Sequence, residues 1–396
     1  MLTPMFELVQ SGDIKGVEKA LRDDPGKVNK IVTTTQDTPL TWALNPNSGM
    51  HPEIAEFLVQ HNAQIDAQNE EGWNALMLAC RYDQPEIALS LIHRGANLDA
   101  KKHDGGTALM IACRHGQAKI AEEIIHKDVD VNAQDVEGWT ALMLACHHDL
   151  AEIAQLLIAR GANLDFVQSQ GWTALMFACS FGLPKVVEAI IKRGANLNKT
   201  NNNGSTALML ACAQPLYAHV SQESLLEAAK ACWAGGADPH IHNIVGQTAL
   251  LIAQEEHRED AVRFLEFVTS SELAIVLRDQ LEMPRSVAIT FYNNEVLTSQ
   301  DCAQLRASDL EAMGIDTVMK RRKLLNFFSP SPAPPSPSIE QSMPQPQPPH
   351  SDPEPSAPPL ATYSHSVKTE LDQPQHIQAN APQPSDGDAA LPCTLQ

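Results

Sequence analysis

Gly72-Trp-Asn-Ala-Leu-Met-Leu-Ala-Cys80 decides the fold, because the phrase returns four more times. It recurs as Gly105-Gly-Thr-Ala-Leu-Met-Ile-Ala-Cys113 and Gly138-Trp-Thr-Ala-Leu-Met-Leu-Ala-Cys146. It comes again as Gly171-Trp-Thr-Ala-Leu-Met-Phe-Ala-Cys179 and Gly204-Ser-Thr-Ala-Leu-Met-Leu-Ala-Cys212. From Asn74 to Thr107, Thr140, Thr173 and Thr206 the step is 33 residues. A fixed period of this length marks a stacked array. Looser copies lie on either side, Thr38-Pro-Leu-Thr-Trp-Ala-Leu44 and Gly246-Gln-Thr-Ala-Leu-Leu-Ile-Ala-Gln254. The second comes 42 residues after its neighbour, so nine residues are inserted.

One copy shows what a unit is made of. Asn74, Thr in the sister copies, is a helix N-cap type. Ala75 to Tyr82 reads as a short helix, broken at Asp83-Gln84. Pro85 suits the first turn of a second helix. Ile87, Ala88, Leu91 and Ile92 share one face of it. Gly95, Gly161 and Gly194 end the second helices of their copies, where a left-handed residue is needed. A polar, turn-like stretch follows. A helix pair of this size cannot bury both apolar faces alone, so each unit needs neighbours.

The 33-residue period, the Gly-x-Thr-Ala-Leu start and the Arg-Gly-Ala-Asn-Leu exit (Arg94 to Leu98, Arg160 to Leu164, Arg193 to Leu197) resemble the ankyrin repeat family. The resemblance covers seven units in residues 37–268, with residues 1–36 as a half-degenerate capping repeat. It implies an all-α solenoid that binds other proteins. Two departures stand out. Ala and Met replace the family's usual Pro and His. Asp128 stands where an exit glycine belongs, and local strain is expected there.

Composition narrows the function. Forty-eight acidic residues face 28 basic ones, a net charge of −20. That argues against DNA or an anionic membrane as the main partner. No charged-then-apolar signal opens the sequence, and no run reaches the roughly 18 apolar residues of a spanning helix. A soluble cytoplasmic protein is the expectation, with the nucleus as a second location. The cysteines at 80, 113, 146, 179 and 212 share one repeat position. Stacked helices lie roughly 8–10 Å apart, too far for disulfides, so these read as small buried thiols.

In the unit carrying the insertion, Glu223 to Trp233 reads as the second helix and Pro215 to Ser221 as a longer loop. A tolerated surface loop is the plain reading; a loop on a working face is the other. After residue 270 the period changes. Apolar positions from Leu273 to Phe328 describe short helices with tight turns. Ser308 and Glu311 fit a capping box, and Gly314 a helix end. Asp309-Leu-Glu-Ala-Met-Gly-Ile315, followed by the basic helix with Lys320, Arg321, Arg322 and Lys323, resembles a sterile alpha motif (SAM) domain over residues 270–329. The family's early Trp and Tyr are missing. The resemblance implies a five-helix module that joins copies end to end or takes a second partner. A partner's acids could then meet the basic run. The alternatives are a solvated helix face or a nuclear import signal. A regulator binding RNA or lipid through this module is the rival reading.

Residues 330–396 are expected to be a disordered Pro-rich tail. From Ser329 onward the chain holds 17 of the 27 prolines, and seven acids stand against Lys368 alone. Such a segment cannot bury enough apolar surface to fold. Val367-Lys-Thr-Glu370 resembles an acceptor for small ubiquitin-like modifiers. Ser329, Ser331 and Ser336 each precede proline, as in proline-directed phosphorylation sites. The Pro-x-x-Pro phrases read first as linker.

No catalytic constellation is present. There is no phosphate-cradling glycine loop, no Gly-x-Ser-x-Gly elbow and no His-Glu-x-x-His. No Cys-x-x-Cys pair suggests zinc, and no carboxylate or thiolate is evidently placed to complete a metal site with His115, His147 and His148. The expectation is a non-enzymatic adaptor without metal or cofactor. In the ankyrin family, partners meet the concave side. The matching positions here are Trp73, Arg81, Tyr82, Arg114, His115, Trp139, His147, His148, Trp172 and Phe181. Trp, Tyr and Arg dominate interface energies. The three tryptophans precede the capping residue, so they are expected to leave the repeat's own core. The other reading is that they only pack on neighbouring hairpins.

Overall fold

The computed structural model describes residues 4–31, 34–215, 217–315 and 317–328. Ser329, Ser331, Ser336, Lys368 and the Pro-rich tail lie outside them. Eight helix pairs follow one another: α1 Pro4–Gln10 with α2 Ile14–Asp23, α3 Pro39–Ala43 with α4 Pro52–Gln60, α5 Ala75–Arg81 with α6 Pro85–His93, and α7 Ala108–Arg114 with α8 Ala118–Ile125. They continue as α9 Ala141–His147 with α10 Ala151–Ala159, α11 Ala174–Ser180 with α12 Pro184–Lys192, α13 Ala207–Cys212 with α14 Gln222–Gly235, and α15 Ala249–Glu255 with α16 Glu259–Ser270. First helices pack on first helices and second on second. The inner faces form a continuous core, with Leu76, Leu142, Leu208 and the five ladder cysteines closed off from solvent. Among the described residues no helix is long and apolar enough to cross a membrane.

Each first helix starts on its repeat-defining residue. Asn74, Thr107, Thr140, Thr173, Thr206 and Thr248 each accept the N–H three residues on, at 2.9–3.4 Å. Such a cap is worth about 1 kcal/mol, and an apolar residue there would leave a buried amide unpaired.

The units are also stitched side to side. Asp66 accepts the N–H of Asn97, Asp99 that of Asp130, Asn132 that of Asn163 and Asp165 that of Asn196, each across 31 residues. On the opposite edge, hairpin tips bond backbone to backbone. The Val136 N–H donates to Asp104 O and the Ser169 N–H to Glu137 O, both at 2.7 Å. Gly138 is required there twice over. Its φ is +82°, and a Cβ would lie 2.8 Å from Val167 O of the next unit.

Gly95, Gly161 and Gly194 are left-handed, with φ of +82°, +87° and +80°. Asp128, which shares their register, does not take that conformation. A Cβ disfavours it, so the chain turns differently after Ile125, while the Asp130 amide still reaches Asp99 at 2.9 Å. The left-handed aspartates sit instead in the turn between the helices of a pair, at Asp83 (φ 54°) and Asp149 (φ 57°), in register with Gly116 and Gly182.

Five helical segments follow the array: α17 Glu272–Ile275 running into a π-helical turn Val276–Gln280, α18 Arg285–Asn293, α19 Ser299–Ala303, α20 Ala307–Ala312 and α21 Val318–Phe328. Leu277, Leu281, Phe291, Leu310, Ile315 and Leu324 form their core. The expected cap at Ser308 is displaced. The Asp309 carboxylate accepts the Arg306 N–H at 2.7 Å, so α20 begins at Ala307. Gly314 is left-handed as expected, with φ +77°.

This bundle is fastened to the end of the array. The Arg285 guanidinium donates to Trp233 O, in the last turn of α14, and to Ala237 O just beyond it, both at 2.9 Å. Buried Lys230 donates to Asn293 at 2.8 Å and Glu227 at 2.9 Å. Tyr292 packs edge-on against Phe264.

Candidate binding face at the ends of the first helices

The period places Arg81, Arg114, His147 and Ser180 at the last turn of successive first helices, with Tyr82, His115, His148 and Phe181 one residue on. The loop before each first helix adds Trp73, Trp139 and Trp172. Repetition therefore gathers every sequence-predicted residue of the array onto one strip.

The tryptophans do not project from it. Trp73 is 6% exposed, Trp139 1% and Trp172 3%. The expectation that they leave the repeat core is corrected by Phe177, which lies between two of them. Trp139 and Phe177 are stacked at 5.0 Å, and Trp172 and Phe177 at 4.9 Å. Trp73 is instead covered by cations. The Arg81 guanidinium lies 5.1 Å and the Lys102 ammonium 4.1 Å from its ring centre, and its Nε1–H donates to Glu71 at 3.1 Å. These contacts hold both cations in place, each worth about 0.5–1 kcal/mol at such a site.

Arg114 pairs with Asp135 at 3.3 Å. The same carboxylate accepts the N–H groups of Glu137 and Trp139. Burial outweighs these attractions and holds the Asp135 carboxyl above the usual range. His147 is buried among Trp139, Phe177 and Phe181, with ring centres at 5.0–5.8 Å. Neither His147 nitrogen has a hydrogen-bond partner, and nor do His148 Nε2 and Ser180 Oγ. Burial, helped by Arg114, pushes the His147 pKa down to about 4. Burial, then His147 and Arg114, take His148 to about 3. Both rings are neutral near pH 7. Among the described residues no group of three His, Cys, Asp or Glu could hold a metal.

Two residues missed by the sequence reading extend the strip. Tyr217 stacks on buried Phe181 at 5.2 Å, and His219 on Tyr217 at 5.7 Å. Both belong to the inserted loop, which is pinned from two sides. Arg258, fully buried, donates to Ala213 O at 2.7 Å and Gln222 O at 3.1 Å and grips Asp260 with two nitrogens. Val220 packs inward near Gly182, where a side chain would meet Ser224 at 2.5 Å. The missed signal was the local sequence Tyr217-Ala-His219, an aromatic pair inside the inserted loop.

Of the predicted strip, Arg81, Tyr82, Arg114, His115 and His148 keep contact with solvent, while Trp73, Trp139, Trp172, His147 and Phe181 form its buried backing. In the C-terminal bundle the basic run divides. Arg321 pairs with Glu311 at 2.7 Å, and Lys323 donates to Leu281 O. Arg322 is exposed and Lys320 half-buried.

No curated protein matches the chain. Among solved structures, the ankyrin repeat domain of Bcl-3, described as a unique member of the IkappaB protein family, is 24% identical. It covers 67% of this chain and 98% of its own, with a TM-score of 0.43. A chain from the complex of the predatory endopeptidase Bd0816 from Bdellovibrio bacteriovorus with the immunity protein Bd3460 is 28% identical. It covers 49% of this chain and 98% of its own, with a TM-score of 0.42. The family model for ankyrin repeats in three copies matches residues 5–102, 95–168 and 151–222. Period, helix pairs, capping threonines and matched family model agree, and the chain belongs to the ankyrin repeat family.

Proposed function

We propose that the chain is a non-enzymatic adaptor whose array holds a partner protein on its concave face. The observation that carries this is the strip itself. Arg81 is fixed by Trp73, Arg114 by Asp135 and Tyr217 by Phe181, so three interface-type side chains are held in place before any partner arrives. Preorganised Arg and Tyr side chains lose little freedom on binding. Tyr82, His115, His148 and His219 complete the contact surface. The C-terminal bundle, on its resemblance to sterile alpha motif domains, joins copies of the chain or takes a second partner. Cytoplasm, with access to the nucleus, is the proposed location.

The test is capture from host extract by the full chain, beside Tyr82→Ala, Arg114→Ala and Tyr217→Ala. A captured protein should be lost at least about tenfold, roughly 1.4 kcal/mol, in two of the three variants. Equal capture by all four chains would remove this strip as the site.

A further inference from the structure

One cysteine of the ladder meets a sixth cysteine from off the ladder. In the regular units the residue four places before the exit position is aliphatic: Leu91, Ile124, Leu157 and Ile190. In three of them its carbonyl accepts the N–H that follows the exit glycine, from Ala96, Ala162 and Ala195. In α14 the same place, four residues before Gly236, is Cys232, and its carbonyl accepts the Ala237 N–H. Cys232 packs back on the preceding unit. Its Sγ lies 3.3 Å from Sγ of Cys179, in the last turn of α11. Both side chains are closed off from solvent.

We propose that Cys179 and Cys232 are a modification site, a latent disulfide that hydrogen peroxide closes between α11 and α14. Bonded sulfurs sit about 2.05 Å apart, so the pair must close by roughly 1.2 Å. Side-chain rotation and a slight approach of two helices that already pack together are enough for such a step. One thiol loses its proton to water, and its sulfur attacks the peroxide. The O–O bond breaks, leaving a sulfenic acid and a hydroxide, which takes up the released proton as water. The second sulfur then attacks the sulfenic sulfur. The S–S bond forms, the S–O bond breaks, and a second water leaves with the other thiol's proton. Two thiols lose two electrons, and one peroxide is reduced to two waters.

Burial, then the contact with Cys232, hold the Cys179 thiol well above its ordinary pKa. The reactive thiolate is therefore scarce, and the pair responds to sustained peroxide, not to a brief pulse. Peroxide is close to water in size, which matters at a site that no bulky disulfide reagent can enter while α14 is in place. The bond encloses the insertion. Between the two cysteines lies Phe181, on which Tyr217 stacks. The first turn of α14 is already set against Gly182, where a Cβ would meet Ser224 Oγ at 2.5 Å. Oxidation adds a covalent tie near the other end of that helix. The unit that presents Tyr217 and His219 can then no longer open by release of α14. This holds whatever binds there.

The test treats the full chain with hydrogen peroxide well below its melting temperature, then alkylates and digests it. A peptide pair joined through Cys179 and Cys232 should appear, and dithiothreitol should release it. The thermal midpoint of the oxidised parent should rise by about 5 °C or more, because the bond closes a long loop of the unfolded chain. Cys232→Leu restores the aliphatic residue of the sister units and should give neither the linked pair nor the rise. Cys179→Ala should behave alike. The peptide map of the parent decides the question even where a variant is unstable. Absence of the link between Cys179 and Cys232 in the treated parent, or a link to Cys212 in its place, overturns the proposal. So does a linked chain that melts no higher than the reduced one.

Discussion

Trp139 lies over Phe177 of the following unit, ring centres 5.0 Å apart and planes 27° from parallel. Trp172 covers the other face of the same ring at 4.9 Å. Three large side chains therefore tie two consecutive repeats at the level of their hairpins. Trp139→Ala should lower folding stability by roughly 3–5 kcal/mol, the range for truncating a buried aromatic. Denaturant titration gives the loss. Binding per folded molecule should stay within about twofold of the parent, since truncation at an interface hot spot would cost about 2 kcal/mol or more of affinity.

Arg258 supports the insertion. Its guanidinium is fully buried and makes four donations, two of them to the carbonyls that flank the loop, Ala213 O and Gln222 O, 45 and 36 residues away. Arg258→Met should destabilise the chain by about 3 kcal/mol or more, because the charge pair is broken and the Ala213 carbonyl loses its donor. Arg258→Lys should recover only part of this, since an ammonium cannot make the bidentate contact with Asp260. Protease sensitivity between Pro215 and Ser221, measured against the melting curve, checks both statements.

Buried His147 and half-buried His148 give the array a pH dependence with a definite sign. Their folded pKa values, about 4 and about 3, lie below the unfolded value near 6.5. Between those limits the unfolded chain binds more protons than the folded one, so stability falls as pH falls. The decline begins near pH 6.5 and continues to the folded values, below which this contribution is constant. His148→Phe copies the aromatic that the next unit carries at Phe181. It should flatten the loss between pH 7 and pH 5, a window above most carboxylate titration. An unchanged slope in thermal midpoint against pH would remove His148 from this account.

Arg285 tests how firmly the bundle is held. Arg285→Ala leaves Ala237 O without this donor, while Trp233 O keeps the Gly236 N–H, so the cost is about 1–3 kcal/mol for a carbonyl that water cannot reach. Hydrogen exchange should quicken in α18 at denaturant concentrations where α5 to α12 remain protected.

The array was legible because stacking enforces its period. A capping Thr every 33 residues can only mean a repeated helix start, and α14 was placed to within two residues of its observed ends. The tryptophans were misread because a flanking position does not reveal which neighbour fills the space beside it. The signal lay at Phe177, where sister copies carry Leu78, Ile111, Leu144 and Leu210. A larger ring at that one place, with Trp139 before it and Trp172 in its own unit, marks a local aromatic core. The Ser308 cap failed for a simpler reason. Asp309 takes the reach-back role expected of Glu311 by accepting the Arg306 amide, which moves the helix start two residues earlier.

The side-chain rungs that join each loop to the next continue through the insertion. Asn198 accepts the Asp238 N–H at 2.9 Å across 40 residues, where the regular rungs span 31. The extra chain is gathered between α13 and α14 and adds nothing to the step from one unit to the next. Contour length and phase are therefore independent at this place. A peptide spliced between Pro215 and Val220 would travel as a passenger, leaving Asp238 opposite Asn198, while a single residue added between Asn163 and Asp165 would throw the succeeding rung out of step.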